Sequence, residues 1–453
     1  MAATSTPKHV LYQPEKMAEA IANYLAGRSR GLTRKEIVAG MGLQDVDEDT
    51  LYRWMARAKE MGLVSMAGSR STARWFASAE IRKEQAKQAI SLPLGKRPVV
   101  SYDELWLEEY VPNVTFYLSE RQRQSMHARC QPGSAPISAM NQHDLSLFLC
   151  GLPYGSSRLE GNRYSFLATV DLIEKGLEMK GASKTETQMI LNHHQAVRFL
   201  IENIHSPAQD DDVTVTARDI RTIHALLADN LLKDPSMAGR VRNTSVTIMD
   251  SAYKPTDMAD VIERCLMTIA EKACQIQDPY EQAFFLTVHL PYLQPFVDCN
   301  KRTARVACNI PLLRNGVVPM SWMDVEATHF VDGLIAVYEL NEPSLLAEVF
   351  HDGYMRSIER FQIMRQSKEP DEIVLKYNQE IRQAVRARVL DGEYLVPASV
   401  DPSEAAVFQQ RVEMELDMVR DMNEATLFKN RLKPGDVHAW IESEKNQTER
   451  ETG

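Results

Sequence analysis

The chain has 453 residues, of which 44% are apolar and 25% charged, and a formal net charge of −10. This composition excludes global disorder, and the lack of an uninterrupted apolar run of about 18 residues predicts no membrane-spanning helix and no membrane partner. Prolines and glutamates at positions 7–19 interrupt the stretch where a secretion signal would need apolar residues, and the six cysteines show no CxxC spacing, so we expect a cytoplasmic protein with reduced thiols.

Charge is distributed unevenly along the chain. Residues 1–100 contain 16 Lys and Arg against 10 Asp and Glu, a net charge of +6, so the remaining 353 residues carry −16. This difference predicts that the basic residues 1–100 contact a polyanion and that the acidic remainder of the chain does not.

Residues 10–80, which we call the head, show the pattern of a winged helix-turn-helix domain. Apolar spacing and glycine breaks predict three helices, at 15–26, 34–41 and 49–61. A β-hairpin with strands at 63–66 and 73–77 is predicted to follow them. Thr33 followed by Glu36 predicts a capping box at the start of the second helix. In this fold the third helix enters the DNA major groove and the hairpin contacts phosphates.

Four arginines of the head are the candidate DNA contacts: Arg53, Arg57, Arg70 and Arg74. Double-stranded DNA is therefore one predicted partner. Four acidic residues at 45–49 stand just before the third helix and would repel phosphate. The alternative is a small protein-interaction domain whose charges are only solvated, and the sequence leaves both open.

The rest of the chain is predicted to be mainly helical. Residues 81–142 form a linker and an irregular segment, residues 143–365 a helical domain, and residues 366–453 a helical extension with a loose end after 440. The helices of the central domain are predicted at 165–178, 184–204, 216–232, 257–276, 279–293, 301–314, 327–340 and 343–363. Residues 240–249, rich in Thr and Val, predict a short β-hairpin that projects from this domain.

The segment 289–309 carries the chemistry. Its first helix is broken by two prolines, and a loop then leads into a new helix that presents Lys301, Arg302 and Arg305. Unpaired backbone N–H groups and the helix dipole make such a helix start favourable for phosphates. We therefore predict nucleotide binding here, with Asp298 as a ligand of a phosphate-bridging Mg²⁺. The alternative is a solvated helix start with surface cations.

Residues 294–305, QPFVDCNKRTAR, resemble the signature HPFxxGNGRxxR of the Fic (Fido-fold) family. Five positions agree: Pro295, Phe296, Asn300, Arg302 and Arg305. Gln294 stands at the position of the family's catalytic histidine, and Cys299 and Lys301 replace its two glycines. The resemblance extends over 145–365 and implies a mainly α Fic core with a short β-hairpin flap, here preceded by the winged helix.

The resemblance also implies a reaction. Fic enzymes move AMP from ATP to a serine, threonine or tyrosine hydroxyl of a protein, and their histidine takes the hydroxyl proton. Gln294 has no useful basicity, so we expect weak or altered transfer, from ATP or another nucleotide. His289 is a less favoured substitute base, because a proline lies between it and Gln294. The implied phosphate contacts are Asn300, Lys301, Arg302 and Arg305.

Residues 156–162, SSRLEGN, resemble the motif of Fic proteins with a built-in inhibitory helix. The regulatory residues carried over are Ser156, Glu160 and Asn162. The resemblance implies that Glu160 pairs with Arg305 and so occupies the arginine needed by the γ-phosphate. The alternative is a surface glutamate in a turn beside Gly161.

Three functions remain open from the sequence. The first is a Fic-type enzyme of reduced or altered activity that modifies a protein hydroxyl. The second is a DNA-binding transcriptional regulator whose Fic-like core senses a nucleotide or partner without catalysis. The third is a scaffold without a nucleotide site, in which the cations serve packing or contacts with other proteins. A homo-oligomer is compatible with each of them.

Overall fold

The computed structural model describes residues 13–26, 31–67, 73–134, 142–204, 215–366, 372–393, 395–422 and 424–451. They fall in two compact units, Met1–Gln362 and Ile363–Gly453. The head and the central helical domain share the first unit, and the second unit begins close to the predicted extension. Helices dominate both units, which confirms the mainly α fold class.

In the head, three helices and a β-hairpin follow the predicted order. The elements are α1 (Pro14–Ala26), β1 (Leu32–Thr33), α2 (Arg34–Met41), α3 (Glu48–Glu60), β2 (Val64–Ala67) and β3 (Arg74–Ala77). The strands form an antiparallel sheet of order β1-β3-β2, in which Val64 pairs with Ala77. The additional strand β1 has two residues, too short a run for an alternating pattern to show in the sequence.

Local capping explains where two of these helices begin. The Thr33 side chain accepts the amide of Glu36, whose carboxylate accepts the amide of Thr33, so the predicted capping box is confirmed. Asp47 caps α3 by accepting the amide of Thr50, and the helix therefore starts one residue before the predicted position. The face of α3 turned to the core of the head consists of Leu51, Trp54, Met55 and Ala58.

The segment 81–142 is more ordered than predicted. It contains most of α4 (Ala79–Ile90), followed by β4 (Val100–Ser101), α5 (Glu104–Glu108) and α6 (Glu120–Arg129). Asp103 caps α5, and Ser119 caps α6 with a second capping box. The expectation of an irregular segment was wrong because its described prolines, Pro93, Pro98, Pro112 and Pro132, lie outside these helices, where they interrupt no helical hydrogen bond.

The central domain is a helical bundle. Within the described residues its helices are α7 (Gln142–Arg158), α8 (Phe166–Lys175), α9 (Lys184–Ile204), α10 (Ala217–Ala228), α11 (Ala259–Gln275), α12 (Pro279–Leu293), α13 (Asn300–Ala307), α14 (Asn309–Arg314), α15 (Ala327–Leu340) and α16 (Ser344–Gln366). Every residue of α12 is buried, and the helix packs against α11, α13, α14 and α15. This enclosed helix fixes the position of the loop that follows it.

The prediction of a β-hairpin at 240–249 was wrong, because these residues form neither strand nor helix. A short strand lies further on, β5 (Tyr253–Lys254), and it pairs in parallel with β4. Threonine and valine favour a strand only where a partner strand is available. Here the backbone amide of Arg242 donates a hydrogen bond to the carbonyl of Pro295 instead, so the segment is held against the loop after α12.

The second unit has its own hydrophobic core, which includes Tyr377, Phe408 and Trp440. Its helices are α17 (Glu372–Leu390), α18 (Ala405–Arg420), α19 (Glu424–Lys429) and α20 (Pro434–Glu451). The end predicted to be loose after 440 therefore continues as a helix. Among the described ranges, no helix combines the length and the apolar character that a membrane crossing requires.

Candidate nucleotide site

The candidate site is built where α12 ends. The helix stops at Gln294, whose φ of 50° lies in the left-handed region, and Cys299 has a φ of 60° directly before α13. We call residues 294–300 the signature loop. Residues with a side chain are strained in the left-handed region, where glycine is not. Cys299 therefore adopts a backbone conformation that glycine would adopt without strain.

Two amide side chains close the signature loop from within. Asn300 Nδ2 donates to Gln294 Oε1 at 2.8 Å, and Asn300 Oδ1 accepts the amide of Phe296 at 2.9 Å. Gln294 Nε2 donates to the carbonyl of Pro291 at 2.8 Å. Asn300, predicted to contact phosphate, is thus engaged in holding the loop, and the amide of Gln294 is engaged at both ends.

Arg305 is fully buried and reaches the predicted regulatory motif. Its Nη2 donates to Glu160 Oε1 at 2.6 Å and to the carbonyl of Ser156 at 3.0 Å, and its Nε donates to Ser156 Oγ at 2.9 Å. The predicted ion pair between Glu160 and Arg305 is therefore present. Ser156 lies near the end of α7, and Glu160 lies in the following turn, which Gly161 continues with a φ of 82°.

The other two predicted cations lie at the same place. Lys301 Nζ is 3.2 Å from Glu160 Oε2, and Arg302 Nη2 is 3.6 Å from Asp298 Oδ2. In the described structure, Arg302 Nη1 and Arg305 Nη1 are buried and have no hydrogen-bond partner. Two unmet guanidinium donors beside a helix start indicate a site for an anion larger than one carboxylate.

These charges keep Glu160 ionised. Burial alone would raise its pKa, but Arg305, Lys301 and Arg302 outweigh burial and lower the pKa to about 2. Burial also lowers the pKa of Arg305. Because a guanidinium group stays protonated in proteins, the contact is nevertheless an ion pair. The Glu160 carboxylate thus occupies a cationic site in which a phosphate group would find the same charged hydrogen-bond donors.

His193 packs against the regulatory motif. Its Nε2 lies 2.9 Å from Ser156 Oγ, and its Nδ1 lies 3.1 Å from Ser157 Oγ. Burial lowers the pKa of His193 to about 3, so the ring is neutral at neutral pH. Asn162, the third predicted regulatory residue, donates to the carbonyl of Glu186 at 2.9 Å and so attaches the turn to α9.

His289 is placed where it cannot act as a substitute base. Its buried ring packs against Trp106 and Phe285, with centroids 4.9 and 4.4 Å apart, and its Nε2 lies 2.9 Å from the hydroxyl of Tyr117. Burial lowers the pKa of His289 to about 3. A ring enclosed by aromatic side chains does not reach a substrate at the signature loop, so His289 has a packing role.

Arg242 belongs to the site but has no signal in the sequence. Its Nε donates to the carbonyl of Gln294 at 2.6 Å, and its Nη1 and Nη2 donate to the carbonyls of Thr244 and Thr256 at 2.7 and 2.5 Å. Through these hydrogen bonds, the buried side chain of Arg242 connects the segment from 242 to 256 with the signature loop. Arg240, two residues earlier, is exposed. The sequence does not separate these two arginines, because only the fold shows which one is buried.

The three predicted DNA contacts that the structure describes do not form a free cationic surface. Arg57 pairs with two carboxylates at 2.8 and 3.2 Å. Arg53 and Arg74 donate to oxygen atoms of their own domain, and Arg70 lies outside the described residues. Since the three described arginines are already engaged, the geometry of the head does not favour DNA binding.

Known proteins resemble the chain in the region of this site. Residues 214–312 match the model of the Fic/DOC family, a range that includes the signature loop and Arg242 but not Glu160. Two curated relatives are protein adenylyltransferase fic-1 of Caenorhabditis elegans, 28% identical over 172 residues, and protein adenylyltransferase Fic of Nematostella vectensis, 29% identical over 168 residues. Each match covers 37% of this chain, which spans 32% and 38% of the length of these two relatives.

Two solved structures are also similar. A Fic-1 structure from Caenorhabditis elegans has a TM-score of 0.44 and 19% identity, and the match covers 78% of this chain and 85% of that chain. A Fic family protein from Desulfovibrio desulfuricans has a TM-score of 0.45 and 13% identity, with 71% of this chain and 92% of that chain covered.

Proposed function

We propose that this chain is a member of the Fic/DOC family that binds a nucleoside triphosphate at the signature loop and transfers its nucleotidyl group, AMP in the case of ATP, to a hydroxyl group of a protein. One observation carries the proposal: three cations gather beside the helix start, and two of them keep a buried guanidinium nitrogen that has no hydrogen-bond partner among the described residues. The names of the curated relatives, protein adenylyltransferases, support the same reaction.

The phosphates would take the place of the Glu160 carboxylate. Arg305 and Lys301, released from Glu160, would bind the outer phosphates, and Arg302 Nη1 would supply a further hydrogen bond. The first N–H groups of α13 have no partner within the helix, and the helix dipole favours negative charge at the same end. The site thus combines directed hydrogen bonds with net positive charge.

Asp298 fits the role of a magnesium ligand. Its side chain is 65% exposed, and its Oδ1 accepts the amide of Cys299 at 2.6 Å, which orients the carboxylate. Mg²⁺ commonly uses one or two carboxylates and completes its shell with phosphate and water. The described residues contain no group of three or more candidate metal ligands, so the nucleotide would supply the others. A bound Mg²⁺ would neutralise charge on the departing pyrophosphate.

Gln294 limits the rate of this reaction. Attack of a hydroxyl on the α-phosphate releases a proton, which an amide does not take up at neutral pH. Positioning and charge stabilisation remain, through the cations and α13. Because a general base typically contributes about 10²–10⁴ in rate, we propose transfer that is slow by that factor.

Glu160 adds a second restraint. Its carboxylate holds Arg305 and Lys301, so a triphosphate has to displace it before the cations can bind phosphate. Removal of the Glu160 side chain should therefore raise transfer, whereas Gln294→His should restore the missing base.

The test is transfer of label from ATP, CTP, GTP and UTP, each radiolabelled at the α-phosphate, to the chain itself or to lysate proteins. We expect faint labelling by the wild type, stronger labelling by Glu160→Ala, and labelling faster by about 10²–10⁴ when Gln294→His is added to that variant. Glu359→Ala, at an exposed glutamate of α16, is the matched control and should behave as the wild type. No labelling by the double variant with any nucleotide would refute the transfer.

A further inference from the structure

A second cavity lies where α4, α15 and α16 meet, and we call it the side groove. Its volume is about 500 Å³, a size typical of ligand sites. None of the described residues that line it belongs to the signature loop. Glu326, His329 and Asp332 on its border are exposed, so a ligand can enter it from solvent.

The floor of the side groove is apolar. It includes Ile90 of α4, Val325, and Leu345 and Val349 of α16. A Cβ atom at Gly353 would lie 2.6 Å from the side chain of Val325, so the floor is closely packed. The aliphatic stems of lysine and arginine bury well on such a surface while their charged ends stay at the edge.

Carboxylates predominate among the charged side chains of the groove. With His329 counted as neutral, five carboxylates face two cations, and the lining has a net charge of −3. The acidic residues are Asp324, Glu326, Asp332, Glu348 and Asp352, and the basic residues are Lys87 and Arg356. A ligand of positive charge therefore complements the groove.

Two of the five carboxylates are available to a ligand. The carboxylates at 324, 348 and 352 lie 2.7, 2.6 and 3.0 Å from side-chain nitrogen atoms of Arg360, Lys83 and His351. Glu326 and Asp332, by contrast, have no side-chain hydrogen bond and no ion pair in the described part of the chain. Each can accept charge-assisted hydrogen bonds from an incoming guanidinium or ammonium group.

The shape and chemistry of the groove favour a basic segment of a protein over other cations. A single metal ion would leave most of the volume empty, and no group of three candidate metal ligands occurs among the described residues. A small polyamine would satisfy the carboxylates but would make little use of the apolar floor. A peptide that combines arginine or lysine with apolar side chains uses both.

The wall of the side groove is attached to the nucleotide site. Arg158, in the predicted regulatory motif, donates to the carbonyls of Val325 and, at 3.1 Å, of Met323. The buried indole of Trp322 donates to the carbonyl of Arg305 at 3.1 Å. A protein held in the groove would therefore lie beside the segment that packs against Arg305.

We propose that the side groove binds a basic, partly apolar segment of a partner protein, whose arginine or lysine side chains pair with Glu326 and Asp332. The inference deepens the proposed function, and rests on it, in naming this partner as the class of protein that is modified. Binding in the groove needs no nucleotide, so it is measured separately from transfer.

Fluorescence anisotropy of the full chain with two labelled peptides tests the inference. The first peptide consists of arginine, leucine and serine, and the second has glutamate in place of every arginine. We expect the chain to bind only the first, and more weakly as the salt concentration rises. Glu326→Gln combined with Asp332→Asn should weaken this binding by about three- to tenfold, as expected for two solvent-exposed ion pairs.

The matched control removes two charges elsewhere. Glu271→Gln combined with Glu359→Gln, at exposed positions of α11 and α16 outside the groove, should bind the first peptide as the wild type does. A third peptide, with glycine in place of leucine, tests the apolar floor without any change in the protein and should bind more weakly than the first.

The outcomes separate this inference from the proposed function. Equal binding of the first two peptides, equal affinities of the two double variants, or displacement of the first peptide by less spermine than unlabelled peptide would overturn the groove as a peptide site, while nucleotide transfer would be unaffected. Peptide binding by a chain whose Glu160→Ala and Gln294→His variant labels no protein would instead overturn the proposed function and, with it, the role of the partner as substrate.

Discussion

Replacing Glu160 by glutamine tests the electrostatics of the site directly. Glutamine keeps the shape of the side chain and removes the charge that pairs with Arg305 and Lys301. The pKa of Glu160 is lowered from 4.5 to about 2 in the folded protein. Since a difference of one in pKa corresponds to about 1.4 kcal/mol, the charge contributes about 3 kcal/mol at pH 7. Removing one partner of a buried ion pair is expected to cost about 3–5 kcal/mol, which agrees.

The pH dependence of this contribution has a definite sign. The pKa of Glu160 in the folded chain lies below its ordinary value, so the contribution is complete above pH 4.5 and is lost as the pH falls toward 2. We therefore expect the wild type to exceed Glu160→Gln in free energy of unfolding by about 3 kcal/mol at pH 7. This difference should shrink steadily between pH 4.5 and 2.

Urea unfolding followed by tryptophan fluorescence, repeated at pH 7, 5, 4 and 3, measures both quantities. Glu359→Gln, at an exposed position, is the control and should match the wild type throughout. The variant should also bind ATP more tightly, by up to about a hundredfold, because no ion pair has to be broken first. A difference in stability that is the same at pH 7 and pH 3 would refute the electrostatic reasoning. Weaker ATP binding by the variant would refute the inhibitory role.

Two further predictions concern the signature loop. Arg242→Lys leaves buried carbonyls without donors and should lower the free energy of unfolding by about 2–3 kcal/mol, whereas Arg240→Lys, at an exposed position, should leave it unchanged in the same urea titration. Burial raises the pKa of the Cys299 thiol to about 12, so iodoacetamide at pH 8 should spare Cys299 in the native protein and modify it in urea, as mapped by mass spectrometry. Rapid native modification of Cys299 would show that the loop is open.

Local signals in the sequence predicted much of the helical architecture. Caps act within one helical turn, as at Thr33 and Glu36, and the apolar spacing of α3 is visible in the segment itself. The cluster of cations at 301, 302 and 305 was also predicted, because three charged residues at the start of one helix are adjacent in the sequence itself. The pairing of Glu160 with Arg305, across 145 positions, came from the resemblance to a family and not from spacing.

Partners that lie far apart in the chain could not be predicted in this way. The segment 240–249 has the composition of a strand, but no strand among the described residues pairs with it, and Arg242 attaches it to the signature loop instead. β4 pairs with β5 across about 150 residues, although each strand has only two residues. His224, on α10, looks like an ordinary core histidine in the sequence, and only the fold shows that its ring stacks on Phe296 of the signature loop.

The charged residues, the starts of most helices and the amide at Gln294, where the signature has its usual base, can be read from the sequence. What that amide does is visible only in the fold, where both of its ends are hydrogen-bonded, to Asn300 and to the carbonyl of Pro291. The fold also shows that Arg302 and Arg305 each keep a buried nitrogen with no partner in the described part of the chain. Charge and helix start are properties of a few adjacent residues, whereas burial and hydrogen-bond partners depend on how distant segments pack.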